Sequence, residues 1–296
     1  MKNNRKITKA VIAAAGYGTR FLPATKNQPK EMLPIIDKPI IHYLVEEAVN
    51  SGITDIVLVT RAGSHIMEDY FDSNAELEKA LDESGKTARC EMIRQIPKMA
   101  NFIYIRQHKH LPYGNGSPLL AAKSVIDDDE AVVYMFGDDL TLSEVPVTKQ
   151  LIDVYEKYNP SVVAAAQEVP WEEVVRYGVF KYEEGSDIPN KIEEIIEKPE
   201  RDEAPSNKAQ DGRFILSYEV IEELEKTPQG KGNELWLADA FARLVSKGKT
   251  VIAQPIDGEW LTTGDPLRYL KATIKFAMER DDINGEFVEF LKDIIK

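Results

Sequence analysis

The stretch from Ala10 to Pro39, AVIAAAGYGTRFLPATKNQPKEMLPIIDKP, constrains this chain more than any other. It opens on a short apolar run, Val11-Ile12-Ala13-Ala14-Ala15, the size of a buried parallel strand. Gly16 and Gly18 follow at G-x-G spacing, then Thr19 and Arg20. Glycines directly after a buried strand allow a sharp turn and leave backbone N–H groups facing an anion. Arg20 adds a planar, multi-donor cation suited to phosphate oxygens. Lys30 adds a second cation, framed by Pro29 and Pro34, which restrict the loop. The segment reads as a nucleoside-triphosphate loop. Two familiar glycine patterns do not fit. The P-loop needs Lys-Ser/Thr after its last glycine, where Thr-Arg stands, and the dinucleotide fingerprint needs a third glycine where Phe21 stands.

With 296 residues, 43% of them hydrophobic, the chain can bury a large core, and no linker or repeat divides it. A net charge of −13 argues against nucleic-acid polymers and anionic membranes as partners, while leaving room for a local basic phosphate site. The single cysteine, Cys90, excludes an intrachain disulfide and reads as a packed small residue. No apolar run approaches the ~18 residues of a membrane span. The basic N-terminus leads into only a short apolar run, so no signal peptide is expected. A cytoplasmic enzyme fits these features.

Along the chain, 39–51 has helical spacing and ends at Gly52, and His42 on it reads as a packing residue. Asp55–Thr60 is the next buried strand, which makes a right-handed parallel βαβ unit. Residues 64–84 read as a charged, solvated helix, and 102–107 as a strand. Tyr113-Gly114-Asn115-Gly116-Ser117 opens a helix, with Ser117 as its N-cap and Pro118 in its first turn. His108 and His110 have no ligand partners at metal-site spacing. The apolar run from Ala131 ends in Asp138-Asp139, which suits Mg²⁺ at a phosphate site or, more plainly, a turn. Helices are expected at 145–158, 218–226, 266–280 and 286–295, strands at 162–166 and 212–216, and a polar loop at 200–211. The Glu193–Lys198 stretch reads by pattern as an exposed charged edge. Asp265 precedes Pro266 and a helical pattern, which reads as that helix's N-cap.

The string GYGTRFLPATKNQPKEMLP resembles the start of the sugar-1-phosphate nucleotidyltransferases, and within them most the bacterial UTP–glucose-1-phosphate uridylyltransferases. Further segments match: Tyr177-Gly178-Val179, Glu197-Lys198-Pro199, Gly212-Arg213-Phe214-Ile215-Leu216 and 232–240. The resemblance implies a Rossmann-like three-layer α/β sandwich with a mixed, mainly parallel sheet. It implies one domain over 1–296, with helices from about 266 packing on it or at an oligomer interface. The implied assembly is a homodimer or homotetramer, and the implied reaction is UTP with glucose 1-phosphate giving UDP-glucose and pyrophosphate. On this likeness Arg20, Lys30, Asp138 and Lys198 are catalytic, and Asp138 holds Mg²⁺. Ala15, Gly16, Gly18, Thr19, Glu31, Gln107, Gly114 and Gly116 bind the nucleotide. Tyr177, Gly178, Glu197, Lys198 and Gly212 bind the sugar phosphate. The chain departs from the family pattern at Ser117 and Pro118, Gly137, Trp236 and Ala238. It departs most at Thr262, where related enzymes carry a second metal aspartate, so Asp265 is the candidate to replace it. The same chemistry with another base or sugar, as in a thymidylyltransferase, and an inactive nucleotide-sugar sensor are the alternatives.

Overall fold

The computed structural model describes residues 6–63 and 65–294. Its strands are β1 (Lys9–Ala14), β2 (Pro34–Ile35), β3 (Lys38–Pro39), β4 (Asp55–Thr60), β5 (Asn101–Arg106), β6 (Ala131–Phe136), β7 (Asp139–Leu142), β8 (Val162–Glu168), β9 (Gly178–Tyr182), β10 (Ile192–Glu197), β11 (Lys208–Ser217), β12 (Val251–Pro255) and β13 (Glu259–Thr262). Its helices are α1 (Ile40–Asn50), α2 (Ile66–Tyr70), α3 (Ala75–Glu83), α4 (Thr87–Gln95), α5 (Ser117–Ala122), α6 (Val147–Tyr158), α7 (Tyr218–Leu224), α8 (Leu237–Ser246), α9 (Pro266–Glu279) and α10 (Asn284–Ile294).

Strands β6, β1, β4 and β5 lie side by side and parallel. The apolar runs of β1, β4 and β6 are buried on both faces, as continuous apolar segments require, while β5 at the sheet edge is only half-buried. Ile12, Ile56, Leu58 and Met135 face a core shared with Ile41 and Leu44 of α1 and Leu151 of α6. Val11, Val57, Val59 and Tyr134 face a second core with Leu119 of α5, Val220 of α7 and Phe241 of α8. The result is a sheet between two helical layers, as expected.

The antiparallel half is organised by β11. One of its edges pairs with β8, and β12 adds to β8 in parallel. The other edge pairs with β6 from Arg213 to Ser217 and touches β9 only at Ala209. The register on β8 shifts between Gln210 and Phe214. At this break Asp211-Gly212-Arg213 bulges, and all three residues are fully or almost fully buried.

Several expectations need correction. The strand at 212–216 begins at Lys208, because the polar residues before it are pairing partners of β8 rather than a loop. The apolar run from Ala131 breaks at Gly137, and Asp139 opens a separate strand paired with β13. The 64–84 helix is two helices, α2 and α3, separated around Ser73 and Asn74, whose side chain caps α3; residue 64 itself lies outside the described residues. Helix α4 and strand β12 were not anticipated. Ser117 does not cap α5: Gly116 holds the cap position, and the Ser117 hydroxyl donates back to Pro112 O. The helix expected at 286–295 runs from Asn284 to Ile294, residue 295 lying outside the described residues. Cys90 is buried and His42 packs against Tyr70, both as read.

Arg213 is fully buried and faces Glu47 of α1, with Nη2 2.8 Å and Nε 3.1 Å from Oε2. Removing one partner of a buried pair leaves an uncompensated charge, at a cost of about 3–5 kcal/mol. Arg213→Leu is therefore expected to lower the unfolding free energy by that amount in urea titration, with little change in the denaturant slope. A loss under about 1 kcal/mol would show that the pair does not anchor β11 to α1.

Candidate active site

The carboxyl ends of β1, β4, β5 and β6 open into one cleft of about 1480 Å³, the side of a parallel sheet where ligands bind. Directly after β1, Gly18 takes a left-handed φ of 62° and starts a 3-10 turn, Thr19–Phe21. Thr25 Oγ1 ties the loop by donating to Gly18 O at 2.7 Å. A second 3-10 turn, Lys30–Met32, follows Pro29. Ala15, Gly16, Arg20, Lys30 and Glu31 line the cleft, whereas Gly18 and Thr19 shape the turn behind it.

The charges here are closely matched. Lys30 Nζ lies 2.5 Å from Asp138 Oδ2. Burial pushes the Lys30 ammonium down, but Asp138 and Glu31 more than offset it, so its pKa is raised. Burial likewise pushes Asp138 up, while Lys30 and Arg20 hold it below its ordinary value. Glu31 is almost fully buried, its Oε2 has no hydrogen-bond partner, and burial raises its pKa to about 7. Gly137 makes this crowding feasible, since a Cβ there would sit 2.5 Å from Ala13 O and 2.8 Å from Glu31 Cγ.

Asp138 and its neighbour differ. The Asp138 backbone carbonyl accepts from the N–H and hydroxyl of Thr263, which fixes the 262–264 segment beside it. Arg20 Nη1 reaches the same segment at Gly264 O, 3.1 Å. Asp139 is buried and stands opposite Thr262 in the β7–β13 pair. Burial and then the Asp138 charge push its pKa to about 6. Gly212 gives it room, because a Cβ at 212 would lie 2.4 Å from Asp139 Oδ2.

A hard divalent cation suits this end of the cleft. Mg²⁺ needs only one or two carboxylates when phosphate oxygens and water complete its shell, and the Asp138 carboxylate is partly exposed to the cleft. Among the described residues no cluster of three or more His, Cys, Asp or Glu is placed to hold a metal. Asp265 sits at the head of α9. Its Oδ1 accepts from Arg268 N at 3.1 Å, capping α9, and its Oδ2 accepts from Arg268 and Arg176 at 2.8 and 3.1 Å. Both oxygens are committed to the helix end and to two guanidinium groups, and Asp265 does not line the cleft.

On the far wall the 113–117 turn is clasped by 235–237. Leu235 N–H donates to Tyr113 O, Gly116 N–H to Leu235 O, and Leu237 N–H to Asn115 Oδ1. Gly114, at φ 135°, has Leu235 backbone where a Cβ would be, 2.3 Å away. Gln107 and Gly114 reach the cleft, and Gly116 packs behind them. Tyr177, Gly178, Glu197 and Lys198 line the same cleft. Glu197 ends the edge strand β10, whose Glu193 and Glu194 are exposed as the pattern predicted, while Glu197 turns into the cleft lining. Its Oε2 is buried without a partner, and burial raises its pKa to about 7. Cleft residues that the sequence reading left unassigned are Tyr17, Arg61, Arg176, Gln210, Trp236 and Trp260. Tyr17 and Trp236 lay inside matched segments and Arg176 directly before one; Arg61 and Gln210 had no motif to mark them.

The sequence profile of the nucleotidyl transferase family matches residues 9–279. The chain is 41% identical over 292 residues to the UTP–glucose-1-phosphate uridylyltransferase YngB of Bacillus subtilis, covering 99% of this chain and 97% of that protein. It is 41% identical over 290 residues to UTP–glucose-1-phosphate uridylyltransferase 2 of Staphylococcus saprophyticus, covering 98% and 99%. Among solved structures, a UTP-bound UGPase from Acinetobacter baumannii superposes with a TM-score of 0.86 at 34% identity, over 96% of this chain and 98% of that one. A UDP-glucose pyrophosphorylase complexed with UDP-glucose gives 0.81 at 37% identity, over 93% and 100%.

If Asp265 is only a cap, Asp265→Ala should cost about 1 kcal/mol in stability, and Asp265→Ser should recover most of it. Its pKa is lowered from 3.8 to about 2, so the stability it contributes is present above pH 3.8 and is lost as pH falls toward 2. Acid titration of unfolding should therefore flatten between those pH values in Asp265→Ser. A changed magnesium requirement in that variant would contradict the assignment. The fold, the cleft at the strand ends and the full-length likeness together place this chain in the nucleotidyl transferase family.

Proposed function

We propose that this nucleotidyl transferase joins UTP to glucose 1-phosphate, forming UDP-glucose and pyrophosphate. The observation that carries the reading is that the triphosphate-type loop and the Glu197-Lys198 segment line one and the same cleft. The relatives named for this activity, 41% identical along nearly the whole chain, support the choice of substrates.

The sugar-phosphate oxygen attacks the α-phosphorus in line. A new P–O bond forms there, the bond to the bridging oxygen breaks, and pyrophosphate leaves with the electron pair. The enzyme supplies no nucleophile; positioning and charge neutralisation carry the rate. Arg20 and Lys30 hold the triphosphate, with backbone from Ala15 and Gly16 beside it. Gln107 and the Gly114 turn hold the uracil, and Gly116 buttresses that turn. Asp138 would hold Mg²⁺, which when bound neutralises phosphate charge. Glu197 faces the sugar hydroxyls as an acceptor, and Lys198 meets the sugar phosphate. Gly212 acts indirectly, by leaving space for Asp139. Its place of action is the cytoplasm, where its nucleotide and sugar-phosphate substrates are held; among the described residues no helix is long and apolar enough to cross a membrane. It assembles as a homodimer or homotetramer, for which the exposed Leu267, Leu270, Phe290 and Ile294 of α9 and α10 offer an apolar surface. The whole chain works as one domain.

Pyrophosphate release measured across four nucleoside triphosphates and several sugar 1-phosphates tests the reading. UTP with glucose 1-phosphate should dominate, and binding without turnover would sink it. Asp138→Ala should lower kcat about a thousandfold at every magnesium concentration. Arg20→Ala should mainly raise KM for UTP, and equal losses toward both substrates would refute that division of labour.

A further inference from the structure

Lys198 follows β10 in a left-handed conformation, φ 47°, which side-chain-bearing residues adopt only when the surroundings impose it. Two contacts do so. Its N–H donates to Tyr177 O at 3.0 Å, and its C=O accepts from Lys231 Nζ at 2.7 Å. Its ammonium lies 3.9 Å from the centroid of the Trp236 ring and 3.9 Å from Glu197 Oε1. The indole N–H of Trp236 donates in turn to Lys231 O at 2.8 Å. Lys198, Trp236 and Lys231 thus form a closed clasp, and the loop bearing Trp236 is itself closed by Gly230 N–H donating to Glu234 O at 2.8 Å.

The choice of partner matters. A lysine beside a close carboxylate is already paired, and an arriving phosphate must compete for it. An aromatic face attracts an ammonium through its quadrupole but carries no charge and accepts no strong hydrogen bond. It can hold the head group in place while leaving its three N–H donors for an anion. Trp236 is 7% exposed, so the ring is rigidly seated and its face partly dehydrated. Elsewhere in the cleft the Lys30 ammonium sits directly against Asp138 at 2.5 Å, whereas the carboxylate of Glu197 stands 3.9 Å from Lys198, no nearer than the ring centroid.

We infer that Trp236 is a positioning residue for the sugar-phosphate subsite, holding the Lys198 ammonium with its N–H donors open to the phosphate of the sugar 1-phosphate, with Lys231 locking the pair. The inference rests on the proposed role of Lys198. The indole is also a reporter, because a phosphate meeting the ammonium changes the charge directly above the ring.

The test compares wild type with Lys198→Met, Trp236→Gln, Trp236→Phe and Lys231→Met, measuring KM and kcat for each substrate with the other saturating. Trp236→Gln should raise KM for glucose 1-phosphate about tenfold, the worth of a partly dehydrated cation–π contact, with KM for UTP within about twofold. Trp236→Phe keeps a ring face and should recover most of the loss. Lys231→Met should show a smaller rise in the same constant. Tryptophan emission should change on adding UDP-glucose to wild type, and that change should shrink in Trp236→Phe. If Lys198→Met leaves glucose 1-phosphate use intact, the reading of Lys198 itself is wrong. If Lys198→Met is damaging but Trp236→Gln is not, or if Phe is as harmful as Gln, the clasp is wrong and the reading of Lys198 stands. Should Trp236→Gln fail to fold, the Phe and Lys231→Met comparisons still decide.

Discussion

Arg213 places a whole guanidinium group in the interior, where it meets both oxygens of Glu47. Glu47 also accepts from the N–H and hydroxyl of Thr148 and from the Thr141 hydroxyl. Burial opposes ionisation of this glutamate, yet Arg213 and Thr148 hold its pKa below the ordinary value. One pair therefore joins α1, α6, β7 and β11. A buried ion pair is a weak source of net stability but a strong source of uniqueness here, since only one register of β11 brings Arg213 to Glu47. That register sets the bulge, the bulge sets Gly212, and Gly212 leaves the space that Asp139 fills. Asp211 shares the cost: buried without partners, it is pushed well above its ordinary pKa first by burial, against the pull of Arg213.

The cleft solves a related problem on an acidic chain. A net charge of −13 repels triphosphates at long range, so the site concentrates cations locally. Arg20, Arg61, Lys30, Arg176 and Lys198 all line it. Several are restrained by uncharged groups. Arg61 lies over the Tyr17 ring, Lys198 over Trp236, and Arg20 meets a backbone carbonyl. Glu31 and Glu197, with pKa values near 7, add little negative charge for their number. Local potential thus depends on which carboxylates are buried as much as on which cations are present.

Much of this was legible from the residues. Buried parallel strands announce themselves as apolar runs, and β1 and β4 fall where the runs fall. The loop after β1 was legible because glycine and proline carry backbone information in their identity. What could not be read is what depends on long-range pairing. Nothing local shows that Glu47 and Arg213 meet, or that Lys208–Asp211 are strand rather than loop, because both depend on β8 and α1 arriving beside β11. Asp265 shows the same limit from the other side. Its cap signal, Asp before Pro, was present in the sequence, but the two arginines that occupy its second oxygen come from α9 and from the segment before β9.

Thr262 is where the family pattern and the structure bear on one another most closely. Read along the chain, a threonine in place of an aspartate removes a charge from the site. Read across the β7–β13 pair, Thr262 stands directly opposite Asp139, whose carboxylate lines the same cleft. Strand pairing makes cross-strand positions close neighbours, so an acid on β7 and a neutral hydroxyl on β13 give this corner one carboxylate beside Asp138. Two carboxylates at both positions would have faced each other in a buried corner where Asp139 already rises to a pKa of about 6. The threonine keeps the strand pairing, lowers the Asp139 pKa through its hydroxyl, and avoids that repulsion. Charge at this corner is therefore a property of the strand pair rather than of either position alone.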